Sequence, residues 1–263
     1  MKKTFISILI ILCAINSYST HLMGGEITYK CIKAGSKAGF YVFQVKIYRD
    51  CMGIPLDTTS SLTVHNHPTI SSIPLAYIGS NDISPVCDTI NNSNMMFNCG
   101  SSNLGFGGNG IGAVEEHIYL SDTLRIPGTP NSDGWHFTWS DCCRNGAIIN
   151  ILNPSSFGFT LRTALYPFTD SLGVVYPNSN DCYDSSPEFY EKPRTILETN
   201  NGYDASSSTN GFTYSHNAFD QELDSLSYEF APPLDELGYN YSNPNSTAIP
   251  FSSGFSFQIP ING

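Results

Sequence analysis

Alternation of apolar and polar residues predicts β-strands along most of this chain. Residues 40–48 carry β-branched and aromatic side chains, and Val45 and Ile47 share one face of the predicted strand. Residues 25–30 are predicted to pair with it as a hairpin across a turn at residues 33–39. Further strands are predicted at residues 61–65, 113–120, 134–140, 147–151, 157–165, 186–190, 211–215, 225–230 and 254–259.

Composition agrees with this strand pattern. Charged residues make up 13% of the chain and aromatic residues another 13%, and 22 glycines and 16 prolines supply turn positions. Short strands joined by frequent turns are typical of β-sandwiches. The sequence therefore predicts an all-β protein built from β-sandwich modules.

The amino terminus has the anatomy of a secretory signal peptide. Lys2 and Lys3 give a positive start, residues 5–15 are apolar, and small residues precede a cleavage point after Ser19. Acylation of Cys13 is the alternative, but the bulky residue before it and the short apolar stretch argue against it. Once residues 1–19 are removed, no segment approaches the roughly 18 apolar residues of a membrane span. We therefore expect export and no membrane insertion after cleavage.

The charge balance excludes one class of partner and suggests a division of the chain. Removal of the leader leaves 10 basic and 23 acidic residues, so nucleic acid is not an expected partner. Residues 181–263 hold 12 acidic and 2 basic residues, whereas residues 20–180 hold 11 and 8. This asymmetry predicts two modules.

Cysteine usage agrees with an oxidising compartment. Seven cysteines remain after cleavage, and successive separations match no standard zinc site, so we expect disulfides. The nearest-neighbour scheme joins Cys31 to Cys51 and Cys87 to Cys99, and leaves Cys182 to one of an adjacent pair, but the sequence leaves the connectivity open. The disulfide candidates are Cys31, Cys51, Cys87, Cys99, Cys142, Cys143 and Cys182.

An acidic run offers a candidate calcium site. Asp220, Glu222 and Asp224 alternate, which in an extended segment places three carboxylates on one side. Calcium takes six to eight oxygen ligands, so further groups are needed. Candidates for these are Asp204, Asp235 and Glu236. The competing interpretation is a solvated acidic turn, and we expect no other cofactor.

Motifs for catalysis are missing from the sequence, and we predict that the protein is not an enzyme. No nucleophile elbow, no zinc-protease motif and no cysteine with an identifiable base is present. Surface histidines account for His65, His67, His117 and His136. Four aromatic residues are candidates for a sugar platform, but alternating aromatic residues in strands are typical of core packing. They are Tyr119, Trp135, Phe137 and Trp139.

Four segments stand out along the chain: HLMGGEITY at residues 21–29, IYRDC at 47–51, DCCRN followed by INI within 141–151, and AFDQELDSLSY at 218–228. They span nearly the whole mature chain. In this order they resemble the N-terminal region of large exported surface proteins of gliding Bacteroidota.

The resemblance implies tandem immunoglobulin-like or cadherin-like β-sandwich modules, here at residues 20–178 and 179–263. It also implies type IX secretion and an adhesin-like role. Two departures concern the second module. Residues 220–226 lack the proline and glycine of the relatives, which weakens the calcium prediction, and Glu198 and Ala231 stand where the relatives carry cysteines.

Five Asp-Ser/Thr tripeptides resemble the O-glycosylation signal of exported proteins in these bacteria. Glycans require exposed acceptors. Ser225 begins a predicted strand and is the weakest of the five. The remaining acceptors are Thr58, Thr89, Thr123 and Ser171.

Together these features predict a secreted or outer-surface adhesin-like binding or structural protein, the N-terminal part of a longer protein linked to gliding or attachment. Its expected ligand is a surface polysaccharide or protein. A carbohydrate-binding or carbohydrate-processing accessory module is the alternative, and a periplasmic location would favour it.

Overall fold

The structure of the protein is a computed structural model. The all-β prediction is confirmed, because the described residues form strands and one short 3-10 helix at Pro154–Ser156. No helix in this part of the chain is long and apolar enough to span a bilayer. The structure describes residues 22–53, 55–84, 99, 113–142, 144–146, 148–191 and 217–254.

Seven strands form one large sheet with antiparallel neighbours throughout. The strands are β1 Leu22–Ile32, β2 Phe40–Asp50, β3 Thr59–His65, β4 Ser72–Asp82, β5 Val114–Ser121, β6 Trp135–Asp141 and β7 Phe159–Leu165. Their spatial order is β1-β2-β5-β4-β3-β6-β7, so the first hairpin lies at one end and the β6–β7 pair at the other.

The sheet curves until its two end strands meet, which makes it barrel-like. The Tyr29 hydroxyl of β1 donates to the Ala164 carbonyl of β7 at 3.4 Å. Nearby, Gly25 packs so closely on β7 that an added Cβ would lie 2.7 Å from Leu161 Cδ1. A side chain at Gly25 would therefore hold the two strands apart.

The interior face of the sheet is a dense aromatic and aliphatic core. Tyr41, Phe43, Val45 and Ile47 alternate along β2 and are each 1% exposed or less. Phe43 packs against Phe137 with ring centroids 4.6 Å apart. The candidate sugar platform is buried in the same core, so the core-packing interpretation is confirmed and the platform is not available to a ligand. Its members are Tyr119, Trp135, Phe137 and Trp139.

The outer edge of β1 is covered by the segment that follows Cys182. Ser186 Oγ accepts a hydrogen bond from the Tyr29 backbone N–H at 2.8 Å, and Ser185 Oγ accepts one from the Cys31 N–H at 3.1 Å. Both serines are buried. Side-chain hydroxyls thus take the place of a neighbouring strand and satisfy donors that an exposed edge would leave open.

The outer edge of β7 is covered by a later segment. Leu234 bridges Thr160, and the Thr160 hydroxyl donates to the Asp235 carbonyl at 2.6 Å. The buried Arg144 guanidinium donates to the Leu234 carbonyl at 2.7 Å and to the Gly158 carbonyl at 2.8 Å. Burial lowers the pKa of Arg144 to about 10, against the raising effect of the Asp235 carboxylate. One cation therefore fixes the covering segment to the sheet.

Two short strand pairs lie beside the large sheet. β8 (Phe168–Thr169) pairs with β9 (Val175–Tyr176), and β10 (Glu188–Phe189) pairs with β11 (Ala218–Phe219). The second pair joins the segment on the β1 edge to the acidic run that follows Phe219. The first pair leads into the loop before Cys182, and the second pair holds the acidic run beside the β1 edge.

The predicted strands agree with the large sheet better than with the rest of the chain. The first hairpin is confirmed, with Ile27 opposite Val45. Two predictions are wrong: residues 148–150 form no strand, and residues 225–230 belong to no strand, with Tyr228 and Phe230 exposed. Sequence reasoning missed β4, β8, β9 and β11. Residues 211–215 and 255–259 lie outside the described residues.

The disulfides do not follow the nearest-neighbour scheme. Cys31 bonds Cys182, with Cα atoms 5.7 Å apart, and Cys51 bonds Cys99, with Cα atoms 5.2 Å apart. The proposed bond between Cys31 and Cys51 is wrong because these residues lie at opposite ends of the first hairpin, roughly 30 Å apart along strands of this length. Cys142 is exposed, and Cys87 and Cys143 lie outside the described residues.

Candidate metal centre

Three carboxylates converge beside the covered edge of β1. Asp220 and Glu222 follow β11, whose pairing with β10 carries them to Asp184 on the edge-covering segment. Carboxylate oxygens of the three residues all lie within 4.8 Å of one another. The structure thus brings together two of the three predicted calcium ligands and adds a carboxylate that sequence reasoning missed.

The local fold explains why Asp220 is fixed and Asp224 is not a member of the group. Asp220 Oδ1 accepts backbone hydrogen bonds from Glu222 at 2.9 Å and from Asp224 at 3.0 Å. This turn aims the Glu222 side chain towards Asp184, while Asp224 is exposed. Asp220 itself is only 6% exposed. The prediction of three carboxylates on one side of an extended segment is therefore wrong, because the segment turns at Asp220.

The Asp184 carboxyl group has a perturbed pKa. Burial, together with the negative charges of Asp220, Glu222 and Asp224, raises the pKa of Asp184 to about 6, against a lowering hydrogen bond from the Ser185 backbone. Its Oδ1 atom is buried and has no hydrogen-bond partner among the described residues. A cation or a proton near this oxygen would be stabilised.

One cation already lies at the cluster. Lys33 Nζ is 2.8 Å from Glu222 Oε1, and its side chain is about half exposed. Glu222 also accepts from the Ser185 hydroxyl at 3.2 Å. The buried Tyr29 hydroxyl has a raised pKa, first through burial and then through the charges of Asp184 and its neighbours. The cluster is therefore held by one ion pair and several hydrogen bonds, with net negative charge remaining.

This arrangement supplies hard oxygen ligands but not a full calcium shell. Three carboxylates give at least three of the six to eight oxygens that calcium takes, so water or other oxygens would complete the shell. Asp235, predicted as a further ligand, instead accepts backbone hydrogen bonds from Gly158 and Glu236 at the β7 edge. Asp204 lies outside the described residues.

The predicted histidine candidates are structural. His136 is 1% exposed, so the expectation of a surface histidine is wrong for it, and its ring contacts the Tyr239 hydroxyl at 2.5 Å and the Asp133 carbonyl at 2.8 Å. His65 contacts the Thr138 hydroxyl at 2.8 Å. Burial lowers the pKa of both rings, which favours their neutral form. Their nitrogens are used in holding the sheet.

The buried His117 lies in an ion-pair cluster at one end of the barrel-like sheet. Its Nε2 atom is 3.0 Å from Glu115 Oε1, and Arg49 pairs with the same carboxylate. Burial on its own would raise the pKa of Glu115, but the hydrogen bond from His117 and the charge of Arg49 outweigh it and lower the pKa. The charges of Arg49 and Glu115 offset one another, which is typical of a structural cluster.

The predicted glycan acceptors differ in exposure. Thr58 and Ser171 are exposed, whereas Thr123 is half-buried and Thr89 lies outside the described residues. Ser225 was expected to be the weakest acceptor because it begins a predicted strand. This expectation is wrong, since Ser225 is exposed and belongs to no strand. Exposure therefore favours Thr58, Ser171 and Ser225.

Comparison of the chain with protein-family models, with curated proteins and with solved structures gives no match.

Proposed function

We propose that this protein is a secreted or cell-surface adhesin-like binding and structural protein, and the N-terminal part of a longer surface protein linked to gliding or attachment. The Cys31–Cys182 disulfide carries the proposal, because it fixes the edge-covering segment to β1 across 151 residues of sequence. Disulfides form in oxidising compartments, and a cross-linked sheet with covered edges suits long exposure outside the cell.

The sequence supports the proposed division of the chain into a signal peptide and two modules. Residues 1–19 are a signal peptide, and residues 20–178 and 179–263 are tandem immunoglobulin-like or cadherin-like modules. The expected ligand is a surface polysaccharide or protein, and nucleic acid is a poor partner for a chain of formal charge −11. The outer surface is the proposed location, with the periplasm as the alternative.

Protease shaving of intact native cells tests the location. Peptides from residues 20–263 should be released and identified by mass spectrometry, together with peptides from any downstream sequence. A known periplasmic protein is the control and should stay protected. Protection of this chain until the outer membrane is broken would contradict the surface location and would favour the accessory-module alternative.

We propose Ca²⁺ as the ion held by Asp184, Asp220 and Glu222. The support is the 4.8 Å grouping of their oxygens and the buried Oδ1 of Asp184, which has no hydrogen-bond partner in the part of the chain that the structure describes. Bound Ca²⁺ should raise the unfolding temperature of the purified chain, since a ligand that binds only the folded state stabilises it. Asp184→Asn should abolish this rise, and Asp122→Asn, at an exposed carboxylate elsewhere, should retain it. An equal rise in both variants, or none in the native chain, would contradict the site.

The second candidate function is a carbohydrate-binding or carbohydrate-processing accessory module. The observation that favours processing is a carboxyl group with a pKa near 6 beside two further carboxylates. Retaining glycosidases use two carboxyl groups roughly 5 Å apart with separated pKa values. Release of reducing sugar from polysaccharides would support processing, whereas saturable binding without turnover would support the adhesin-like function.

A further inference from the structure

A small cavity opens where the first hairpin turn meets the loop between β9 and Cys182. Its volume is about 210 Å³. Pockets for drug-sized ligands run from roughly 300 to 1,000 Å³, so this one holds a single ring-sized unit. The lining residues are Lys33, Gly39, Tyr176, Asp181, Cys182 and Tyr183.

Aromatic rings form one side of this cavity and extend beyond it. Tyr183 stacks on Phe168 with centroids 4.4 Å apart and planes 16° apart, and Tyr176 lies 5.4 Å from Tyr183. Tyr183 and Phe168 are 38% and 42% exposed. These rings therefore offer solvent a flat, rigid and partly apolar surface, in contrast to the aromatic residues of the buried core.

The loop that carries the cavity is fixed from several sides. Arg125 donates to the Asn180 carbonyl at 2.5 Å and to the Ala38 carbonyl at 3.2 Å, so one guanidinium joins both walls. Asn178 Oδ1 accepts from the backbone N–H groups of Asn180 and Asp181 at 3.0 Å each. The Cys31–Cys182 disulfide anchors the far end of the loop to β1. A surface fixed in this way loses little conformational entropy when a ligand binds.

Charged groups complete the lining. Lys33 Nζ lies 5.2 Å from the centre of the Tyr183 ring and also pairs with Glu222. Asp181 lines the same space and carries an acceptor carboxylate. A ligand here thus meets an apolar face together with a hydrogen-bond acceptor and a donor.

We propose that this cavity binds one pyranose unit of an uncharged polysaccharide. The C–H face of the sugar ring packs against Tyr176 and the part of the Tyr183 ring that Phe168 and Lys33 leave open, and its hydroxyls hydrogen-bond to Asp181 and Lys33. The acidic character of the chain disfavours a polyanionic glycan. A proline-rich peptide needs a longer groove with successive aromatic slots, which a single cavity of this size does not supply. The inference rests on the proposed binding function and names its ligand class.

Titration calorimetry of the purified mature chain with a β-glucan, a galactomannan and a chitin oligosaccharide tests this site. We expect saturable binding to at least one, and Tyr183→Ala should weaken it about tenfold or more through loss of stacking. Asp181→Asn keeps the cavity shape and should weaken binding without affecting folding. The matched control is Tyr228→Ala, at a tyrosine 49% exposed outside the cavity, and it should bind as the native chain does. Near-ultraviolet circular dichroism checks that each variant is folded.

Several outcomes would overturn the inference. These are no binding to any of the three glycans, equal weakening by Tyr183→Ala and Tyr228→Ala, or binding of a proline-rich peptide alone. Cell shaving tests the proposed function separately. Release from intact cells without glycan binding would refute only the sugar site, whereas glycan binding by a protease-protected periplasmic chain would refute only the surface function.

Discussion

Replacement of Cys31 and Cys182 by alanine removes the cross-link between β1 and the segment that covers its edge. The cross-link spans 151 residues, but the nested Cys51–Cys99 bond shortens the chain path between the two cysteines to about 100 residues. In the chain-entropy model a loop of about 100 residues corresponds to about 4.7 kcal/mol at 25 °C. We expect the double variant to lose a free energy of unfolding close to this value.

Equilibrium urea unfolding of the oxidised chain, followed by tryptophan fluorescence, measures this loss. The urea slope should also rise in the double variant, because the less constrained unfolded chain exposes more surface. Trp135 and Trp139 are buried in the core and report its exposure. Double replacement avoids leaving one reactive thiol that would exchange with other disulfides.

The matched comparison is the double alanine variant of Cys51 and Cys99, which opens a cross-link of 48 residues. Its expected loss is about 4 kcal/mol or less, since loop entropy grows only with the logarithm of length. A loss below about 1 kcal/mol for the Cys31 and Cys182 pair would refute the reasoning, as would peptide mapping that finds another partner for Cys31.

Two further predictions concern the strand closure and the acidic cluster. Gly25→Ala would place a Cβ 2.5 Å from the Lys46 carbonyl and 2.7 Å from Leu161 Cδ1, so it should cost roughly 1 to 3 kcal/mol in urea unfolding. Gly24→Ala meets its nearest atom at 3.8 Å and should cost much less; equal costs would argue against the close packing of β1 on β7. The pKa of Asp184 rises from 3.8 to about 6 on folding, so its protonation stabilises the fold below pH 4, and this contribution is lost as the pH rises through 6. With divalent cations chelated, Asp184→Asn should therefore gain stability relative to the native chain between pH 4 and pH 7, and a pH-independent difference would contradict the raised pKa.

The acidic cluster and the Tyr183 cavity are neighbours, and Lys33 contacts both. Its ammonium pairs with Glu222 and lies over the Tyr183 ring. A cation that displaces Lys33 from Glu222 would free the ammonium to hydrogen-bond a ligand in the cavity. Calcium dependence of glycan binding would therefore report on both proposals at once.

The first hairpin could be predicted because its information is local. Residues 40–48 alternate towards a single core, and a glycine-containing turn returns the chain along residues 25–30. β4 was missed because Pro74 and Gly79 interrupt its pattern, although the strand lies between two neighbours in the sheet. Residues 225–230 show the opposite failure, since they alternate in sequence but find no strand partner in the described fold.

The candidate metal site could be predicted only in part, because it joins residues that are distant in the sequence. The alternating carboxylates marked Asp220 and Glu222, but nothing local marks Asp184, which lies 36 residues earlier in the chain. Its position depends on the Cys31–Cys182 bond and on the pairing of β10 with β11. The Tyr183 cavity likewise joins the first turn to a loop 150 residues away.

By itself the sequence determined the all-β class, the strands of the large sheet other than β4, the acidic character and the supply of cysteines, because alternation and composition act over a few residues. Only the tertiary structure decided which cysteines bond, which aromatic residues are buried in the core and which carboxylates meet. These depend on the order of strands in the sheet and on the segments that cover its edges. Contacts between distant parts of the chain arise from the packing of the whole fold, and no short stretch of sequence encodes them.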